Sequence, residues 1–265
     1  MSALLVGTIA LTVVFAVSNG MKDGLNVAAT AIASKSLVAR LAIIIVVVAE
    51  FFGPFLLGTE VARTVAQNII NVAVVQQSHA AVLMITCGVA GALLWNLLAW
   101  WVKMPTSSSF TLVGGLIGPV MFEFGSAAVP WRIFFIKVIV AMFLSPLLGM
   151  GIGYLVYQLL RQLLQHAPLA VNTTIKKLQC VTLVFLGANH GTNDSQKSMG
   201  IIALLLYLSG NSTEIAVPLW VKFICIAGIV TGIILGGTRI IRTVGYGIIR
   251  LRPHHSLESQ LTAAG

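Results

Sequence analysis

Long apolar stretches dominate this chain and restrict it to a few folds. A helix needs about 20 residues to cross the hydrocarbon core of a bilayer, and four stretches reach that length: Leu37–Leu57, Ala80–Val102, Ile133–Leu160 and Ile215–Gly236. Two further stretches are shorter and are interrupted by polar residues: Ser2–Val17, and Leu178–Leu186 with Met199–Leu208. Only helices and closed barrels satisfy their backbone groups in lipid, and these stretches lack the alternation of barrel strands. The sequence therefore predicts an all-α, polytopic membrane helical bundle.

The composition supports a membrane location and excludes several other classes of protein. Charged residues make up 9% of the 265 residues, against about 25% in a soluble domain. The net charge of +9 would suggest a nucleic-acid partner in a soluble protein, but here the basic residues lie largely in loops and at helix ends, as in segments that face the cytoplasm. Neither a Ser/His/Asp set nor a Walker loop is present. We therefore expect a multi-pass protein of the cell inner membrane that is not an enzyme and that binds neither nucleic acid nor a cofactor.

Two segments of the chain occur twice, in the same order. The first pair is Asn19–Asn26 and His190–Lys197, which are 171 residues apart. Each segment begins with a polar residue followed by a glycine, and an aspartate lies four residues after that polar residue. Gly58–Val65 and Gly237–Val244 share five of eight residues at an offset of 179. Each copy lies beside an apolar stretch, which favours an internal duplication over chance. Duplicated halves with polar residues inside corresponding apolar segments are typical of secondary transporters, whose binding site lies between the halves.

The repeats divide the chain into three predicted parts. Residues 1–157 form a first membrane repeat, residues 158–177 a basic connecting loop, and residues 178–265 a second membrane repeat. An odd number of spans in each half would make the repeats inverted. The second offset puts the partner of Pro105 beyond Gly265, so the second repeat is expected to be incomplete at its C-terminal end. A homodimer or a complementing C-terminal segment would then complete the site.

Asp23 and Asp194 lie at matching positions in the two copies. A carboxylate within an apolar segment is energetically unfavourable, which favours a functional role. The alternative is that each aspartate caps a helix at the membrane surface. With the nearby amides of Asn26 and Gln196, these carboxylates form an oxygen-rich set that would suit a hard cation such as Na⁺ at an unwound helix.

Two lysines accompany these aspartates. Lys22 directly precedes Asp23, and Lys197 follows Asp194 by three residues, about one turn of a helix. Ion pairing within the helix or snorkelling to the membrane interface is the favoured interpretation of both lysines. Direct contact with an anionic substrate is the alternative.

Four consecutive hydroxyl residues follow Pro105: Thr106, Ser107, Ser108 and Ser109. At the start of a helix, hydroxyls and free backbone N–H groups bind phosphate or sulfate with the support of the helix dipole. An ordinary polar loop with a serine cap is the alternative. We expect these four residues, together with Asn193 of the second aspartate motif, to contact an anion.

These motifs resemble the signatures of the inorganic phosphate transporter family. Asn19–Ala28 is similar to the first signature, His190–Gly200 to the second, and Pro105–Ser109 with Val113–Gly115 to a hairpin loop. The resemblance implies inverted repeats with broken helices and a re-entrant hairpin, and uptake of phosphate coupled to Na⁺ or H⁺. It also implies that the aspartate signatures bind the cation and that the hairpin hydroxyls bind phosphate.

Two departures from the family pattern accompany the resemblance. Phe110 stands where the family usually has histidine, and Lys22 where it usually has asparagine or histidine. Sulfate is the alternative substrate, because it is a tetrahedral oxyanion like phosphate. A truncated, non-transporting membrane half that needs a partner is the alternative function.

Overall fold

The computed structural model describes residues 2–76, 78, 80–102, 104, 106–165, 168, 171–247 and 253–264, with side chains except at 237–247, 253–255 and 264. The α-helices in these ranges are α1 (Ala3–Asp23), α2 (Asn26–Ala33), α3 (Ala39–Leu56), α4 (Glu60–Asn68), α5 (Val72–Val75), α6 (Ala81–Val102), α7 (Ser108–Phe124), α8 (Trp131–Phe134), α9 (Ala141–Leu164), α10 (Val171–Leu208), α11 (Leu219–Gly247) and α12 (Pro253–Ala264). A π-helical segment, Phe135–Val140, joins α8 to α9, and no strand occurs in the described ranges. The predicted all-α fold is confirmed.

Five helical stretches of the described residues are long and apolar enough to cross a bilayer: Ala3–Ala33, Ala39–Leu56, Ala81–Val102, Trp131–Leu164 and Leu219–Gly236. They overlap the apolar stretches of the sequence, so the prediction of a membrane helical bundle is confirmed. The most apolar part of Trp131–Leu164 has none of its residues buried inside the protein. In a bilayer such a surface contacts lipid tails, which are as apolar as the side chains themselves.

The 38-residue helix α10 runs through the second aspartate motif without a break. The sequence suggested an unwound segment between two short apolar stretches, and for this half that expectation is wrong. The hydroxyls of Thr192 and Ser195 donate to backbone carbonyls one turn earlier, a bonding mode that leaves the helix intact. In the first half the helix does break, at Gly24 and Leu25 between α1 and α2.

The segment predicted as a connecting loop, residues 158–177, is helical at both ends. α9 continues to Leu164, and α10 begins at Val171. Leucines at 159, 160, 163 and 164 continue the apolar helical pattern of α9, which explains why this helix extends further than predicted. The boundaries of the two repeats stay a prediction.

Each of the two helices that carry the aspartate motifs packs mainly against a helix of the other repeat. α1, which carries Asp23, makes its most extensive contact with α11, and α10, which carries Asp194, makes its own with α3. In the repeat register, α1 corresponds to α10 and α3 corresponds to α11. Each motif helix therefore packs against the following long helix of the other repeat, as expected for halves related by a pseudo-twofold axis.

Glycines mark both of these contacts at equivalent positions. A Cβ on Gly20 would meet the backbone of Ile229, and a Cβ on Gly191 would lie 2.5 Å from the Cα of Glu50. Gly20 and Gly191 are separated by the first repeat offset, and Glu50 and Ile229 by the second. Small residues let membrane helices approach closely and pack backbone against backbone. These equivalent contacts support an internal duplication.

We expect Gly20→Ala to destabilise the bundle, whereas Gly7→Ala in the same helix should not. The new methyl group would overlap the backbone of Ile229, and overpacking of this kind costs about 1–3 kcal/mol. No atom lies within 4 Å of a Cβ on Gly7, where alanine is the better helix former. Thermal unfolding of both variants in detergent measures the difference. Equal melting temperatures would contradict the close packing of α1 on α11.

Candidate functional site

The hydroxyl-rich run lies at the tip of a helical hairpin made by α6 and α7. The two helices pack closely, since a Cβ on Gly88 would lie 2.6 Å from the carbonyl oxygen of Gly115. Ser107 caps α7, and its hydroxyl accepts a hydrogen bond from the Phe110 amide at 3.5 Å. Ser108, the first residue of α7, is 4% exposed. One side of the tip, at Ser108, is therefore buried against the other helices, whereas Ser107 is exposed.

Lys197 joins the second aspartate motif to this hairpin tip. Its Nζ donates to Oδ1 of Asp194 at 2.6 Å and to Oγ of Ser108 at 3.1 Å. The side chains of Lys197 and Asp194 are 6% and 5% exposed, so a complete ion pair is buried. The expected pairing of these two residues within one helix is confirmed. The bond to Ser108 comes in addition, from a residue of another helix.

Lys22 joins the first aspartate motif to the same tip. Its Nζ donates to the carbonyl oxygen of Thr106 at 2.7 Å, to the hydroxyl of Thr106 at 3.2 Å and to Oδ1 of Asn96 at 3.3 Å. Oδ2 of Asp23 lies 3.7 Å away, and the Lys22 side chain is 9% exposed. Lys22 pairs with its neighbour Asp23, as expected. Its ammonium points to the interior of the protein and also contacts the hairpin tip.

Glu50, a buried carboxylate on α3 that sequence reasoning missed, belongs to the same network. Its Oε1 lies 2.9 Å from Nδ1 of His190, whose other ring nitrogen lies 3.6 Å from Oδ2 of Asp194. The Glu50 side chain is fully buried. A single carboxylate inside an apolar span is by itself a sign of function, and that signal could have identified Glu50. Polar contacts thus run from Glu50 through His190, Asp194 and Lys197 to Ser108.

Asn26 and Asn193 line a cavity of about 430 Å³ beside α12. Its other polar lining residues are Thr30, Asn189, His190, Ser259 and Gln260. In the repeat register Asn26 corresponds to Lys197, and Asn193 corresponds to Lys22. The lysines therefore reach the hairpin tip, whereas the equivalent asparagines line this cavity. Asn193 lies apart from the hydroxyl residues with which the sequence grouped it.

The amide of Gln196 is bonded to the start of α4. Its Oε1 accepts from the backbone N–H groups of Val61 and Ala62 at 2.8 and 3.1 Å, and its Nε2 donates to the carbonyl of Gly58 at 2.6 Å. These bonds satisfy N–H groups that have no partner within the first turn of a helix. Cation binding by Gln196 stays a prediction, and it would require these bonds to break.

Comparison with known proteins connects this arrangement to a family. A model of the phosphate transporter family matches residues 19–265, a range that includes both aspartate motifs and the hairpin tip. The chain belongs to the phosphate transporter family. The resemblance of the motifs to that family is therefore confirmed, and it extends over nearly the whole chain.

Three relatives in the phosphate transporter family are each named "Probable low-affinity inorganic phosphate transporter". The Bacillus subtilis (strain 168) protein is 33% identical over 269 residues, which cover 100% of this chain and 79% of the relative. The Mycobacterium leprae (strain TN) protein is 32% identical over 264 residues, which cover 98% of this chain and 62% of the relative. The Rhizobium meliloti (strain 1021) protein is 34% identical over 252 residues, which cover 94% of this chain and 74% of the relative.

A solved structure shares the fold of this member of the phosphate transporter family. It is described as "The sodium-dependent phosphate transporter", and it superposes with a TM-score of 0.84 at 18% identity. The superposition covers 99% of this chain and 83% of the other. The arrangement of the helices is therefore common to the two proteins.

Proposed function

We propose that the chain transports inorganic phosphate across the cell inner membrane together with a cation, Na⁺ or H⁺. The observation that carries the proposal is the hairpin tip, where the hydroxyl of Ser108 at the start of α7 meets the buried ammonium group of Lys197. Hydroxyls, cationic side chains and helix N-termini are the groups that bind phosphate oxygens. The relatives reported above are each named a probable low-affinity inorganic phosphate transporter, and these names give no support to sulfate as the substrate.

The proposed anion site consists of Thr106, Ser107, Ser108 and Ser109 with Lys197. A phosphate oxygen at the tip would accept hydrogen bonds from the Ser108 hydroxyl and the Lys197 ammonium, which are 3.1 Å apart. The carboxylate of Asp194 holds this ammonium in place by their ion pair, so that the site is organised before an anion enters. Asn193 is proposed as a further anion ligand, which would act from the cavity that it lines.

The proposed cation ligands are Asp23, Asn26, Asp194 and Gln196. Asp23 and Asn26 flank the break between α1 and α2, and breaks in membrane helices free backbone carbonyls that add to a cation site. Oδ2 of Asp194 accepts no hydrogen bond from the described residues and lies 3.6 Å from a ring nitrogen of His190, so a bound cation would share this oxygen with the histidine. The solved structure with the same fold is described as sodium-dependent, and this favours Na⁺ as the coupling cation.

Uptake of radiolabelled phosphate into proteoliposomes tests the proposed function. We expect saturable uptake that requires an inward gradient of Na⁺ or H⁺ and that is suppressed by excess unlabelled phosphate but not by the same concentration of sulfate. Liposomes without protein are the control. Equal uptake with and without a Na⁺ or H⁺ gradient would contradict the coupling to a cation. Equal suppression of uptake by sulfate and by phosphate would contradict phosphate as the substrate.

Ser108→Ala is expected to lower the affinity for phosphate about tenfold, and more than Ser107→Ala does. The Ser108 side chain is buried and bonded to Lys197, whereas Ser107 is exposed and accepts from a backbone amide of its own helix. A hydrogen bond to a charged group contributes about 1.5–3 kcal/mol, and about 1.4 kcal/mol corresponds to tenfold in affinity. Calorimetry on the purified variants measures both values. A weaker effect at Ser108 than at Ser107 would move the anion to the other side of the tip.

A further inference from the structure

We propose that the ammonium of Lys22 is a tethered cation that occupies a site where a free Na⁺ would otherwise bind. This inference rests on the proposed function, since it concerns the cations that accompany phosphate. It is supported by the atoms that surround the lysine and by the comparison of the two repeats.

Four oxygen atoms of three different residues surround the Lys22 Nζ. They are the carbonyl and hydroxyl oxygens of Thr106 at 2.7 and 3.2 Å, Oδ1 of Asn96 at 3.3 Å and Oδ2 of Asp23 at 3.7 Å. Carbonyl, amide and carboxylate oxygens are the ligands of hard cations in proteins. The Lys22 side chain is 9% exposed, so this oxygen cage is almost closed to solvent. Its inner surface of oxygen atoms suits a cation.

The oxygen cage is built into the fold. Asn96 is 1% exposed, and its Nδ2 donates to Oδ1 of Asn19 at 2.6 Å. That bond orients the amide so that its oxygen points to Lys22. The other charged groups that act on Lys22 are Asp194 and Lys197 on α10. α1, α6 and the hairpin tip each supply an oxygen, so the cage exists only when the hairpin is docked.

The second repeat has no lysine at the equivalent position. Asn193 corresponds to Lys22 in the repeat register, and it lines the cavity beside α12. An asparagine is neutral and places no tethered charge in the second motif, whereas in the first motif the ammonium of Lys22 occupies the oxygen cage beside Oδ2 of Asp23. We infer that the hairpin side of the site binds one free cation fewer than it would with asparagine at position 22.

Lys22→Asn and Lys22→Met, compared with wild type, test the tethered cation. Asparagine opens the oxygen cage and adds one oxygen, whereas methionine fills it with an uncharged chain of similar length. We expect Lys22→Asn to bind one more Na⁺ per chain than wild type and Lys22→Met to bind the wild-type number, measured as equilibrium binding of radioactive Na⁺ with choline as the replacement ion. No gain with asparagine, or an equal gain with methionine, would overturn the proposal. A tenfold loss of phosphate affinity in Lys22→Asn without a gain of Na⁺ would also overturn it and would make Lys22 an anion ligand.

The count of bound Na⁺ is independent of transport. A wild-type chain that moves no phosphate would contradict the proposed function, but the difference in Na⁺ between the variants would still decide the role of Lys22. If Lys22→Asn folds in Na⁺ but not in choline, the ion replaces the ammonium and the proposal is supported. If it folds in neither, Lys22→Ala, which opens the same cage, carries the same expectation. Failure of both variants in both salts would show that Na⁺ cannot replace the ammonium, which overturns the proposal.

Discussion

Asp194→Asn is expected to stop concentrative phosphate uptake and to lower the free energy of unfolding by roughly 3–5 kcal/mol. The carboxylate is the ion-pair partner of Lys197 at 2.6 Å, and both side chains are almost fully buried. Without it, the ammonium retains its bond to the Ser108 hydroxyl but loses the charge that compensates it. A buried charge without a partner is strongly unfavourable, because it has given up its hydration. Uptake into proteoliposomes and thermal unfolding in detergent measure the two effects.

A double variant tests whether the loss of stability comes from the Lys197 ammonium that is left without a partner. Asp194→Asn combined with Lys197→Met leaves no unpaired charge at this position, and we therefore expect much of the lost stability to return while uptake stays absent. Glu214→Gln, an exposed position in the loop before α11, is the matched control for removing a carboxylate elsewhere. Near-normal uptake by a folded Asp194→Asn protein, or by the double variant, would show that the carboxylate has no role in transport.

Glu50→Ile is expected to lower the initial rate of phosphate uptake about tenfold or more while the protein still accumulates in the membrane. The change removes the partner of His190, whose Nδ1 lies 2.9 Å from Oε1 of Glu50. A hydrogen bond to a charged group contributes about 1.5–3 kcal/mol. Loss of this bond frees the His190 ring, which lies 3.6 Å from Asp194. Isoleucine should fit because Ile229 occupies the equivalent position of the second repeat, against Gly20.

Glu50→Gln is the matched comparison for this position. Glutamine keeps an oxygen that accepts a hydrogen bond from the His190 ring, and we expect an uptake rate between those of wild type and Glu50→Ile. Membrane abundance and size-exclusion profiles show whether each variant folds. Wild-type uptake by Glu50→Ile would contradict the role of the Glu50–His190 contact, and a misfolded Glu50→Ile protein would contradict the equivalence of the two helix contacts.

The class of fold and the positions of the motifs follow from the amino-acid sequence alone. Unbroken apolar stretches admit only membrane helices, because lipid offers no partner to an unpaired backbone group. Two segments that each occur twice, in the same order and at offsets of 171 and 179, indicated a duplication. The contacts of α1 with α11 and of α10 with α3 agree with it. The ion pair of Lys197 with Asp194 could also be predicted from the sequence, because residues three apart on a helix are neighbours whatever the tertiary structure.

Which polar groups meet one another depends on how the helices pack. The bond from Lys22 to Thr106 joins residues 84 positions apart, the bond from Lys197 to Ser108 joins residues 89 positions apart, and Glu50 meets His190 across 140. Composition and periodicity predict local structure, and they do not predict contacts between residues so far apart in the sequence. The motifs could be located without knowing that both lysines reach one hairpin tip, since that depends on how the close packing of α6 on α7 and of α10 on α3 brings these helices together.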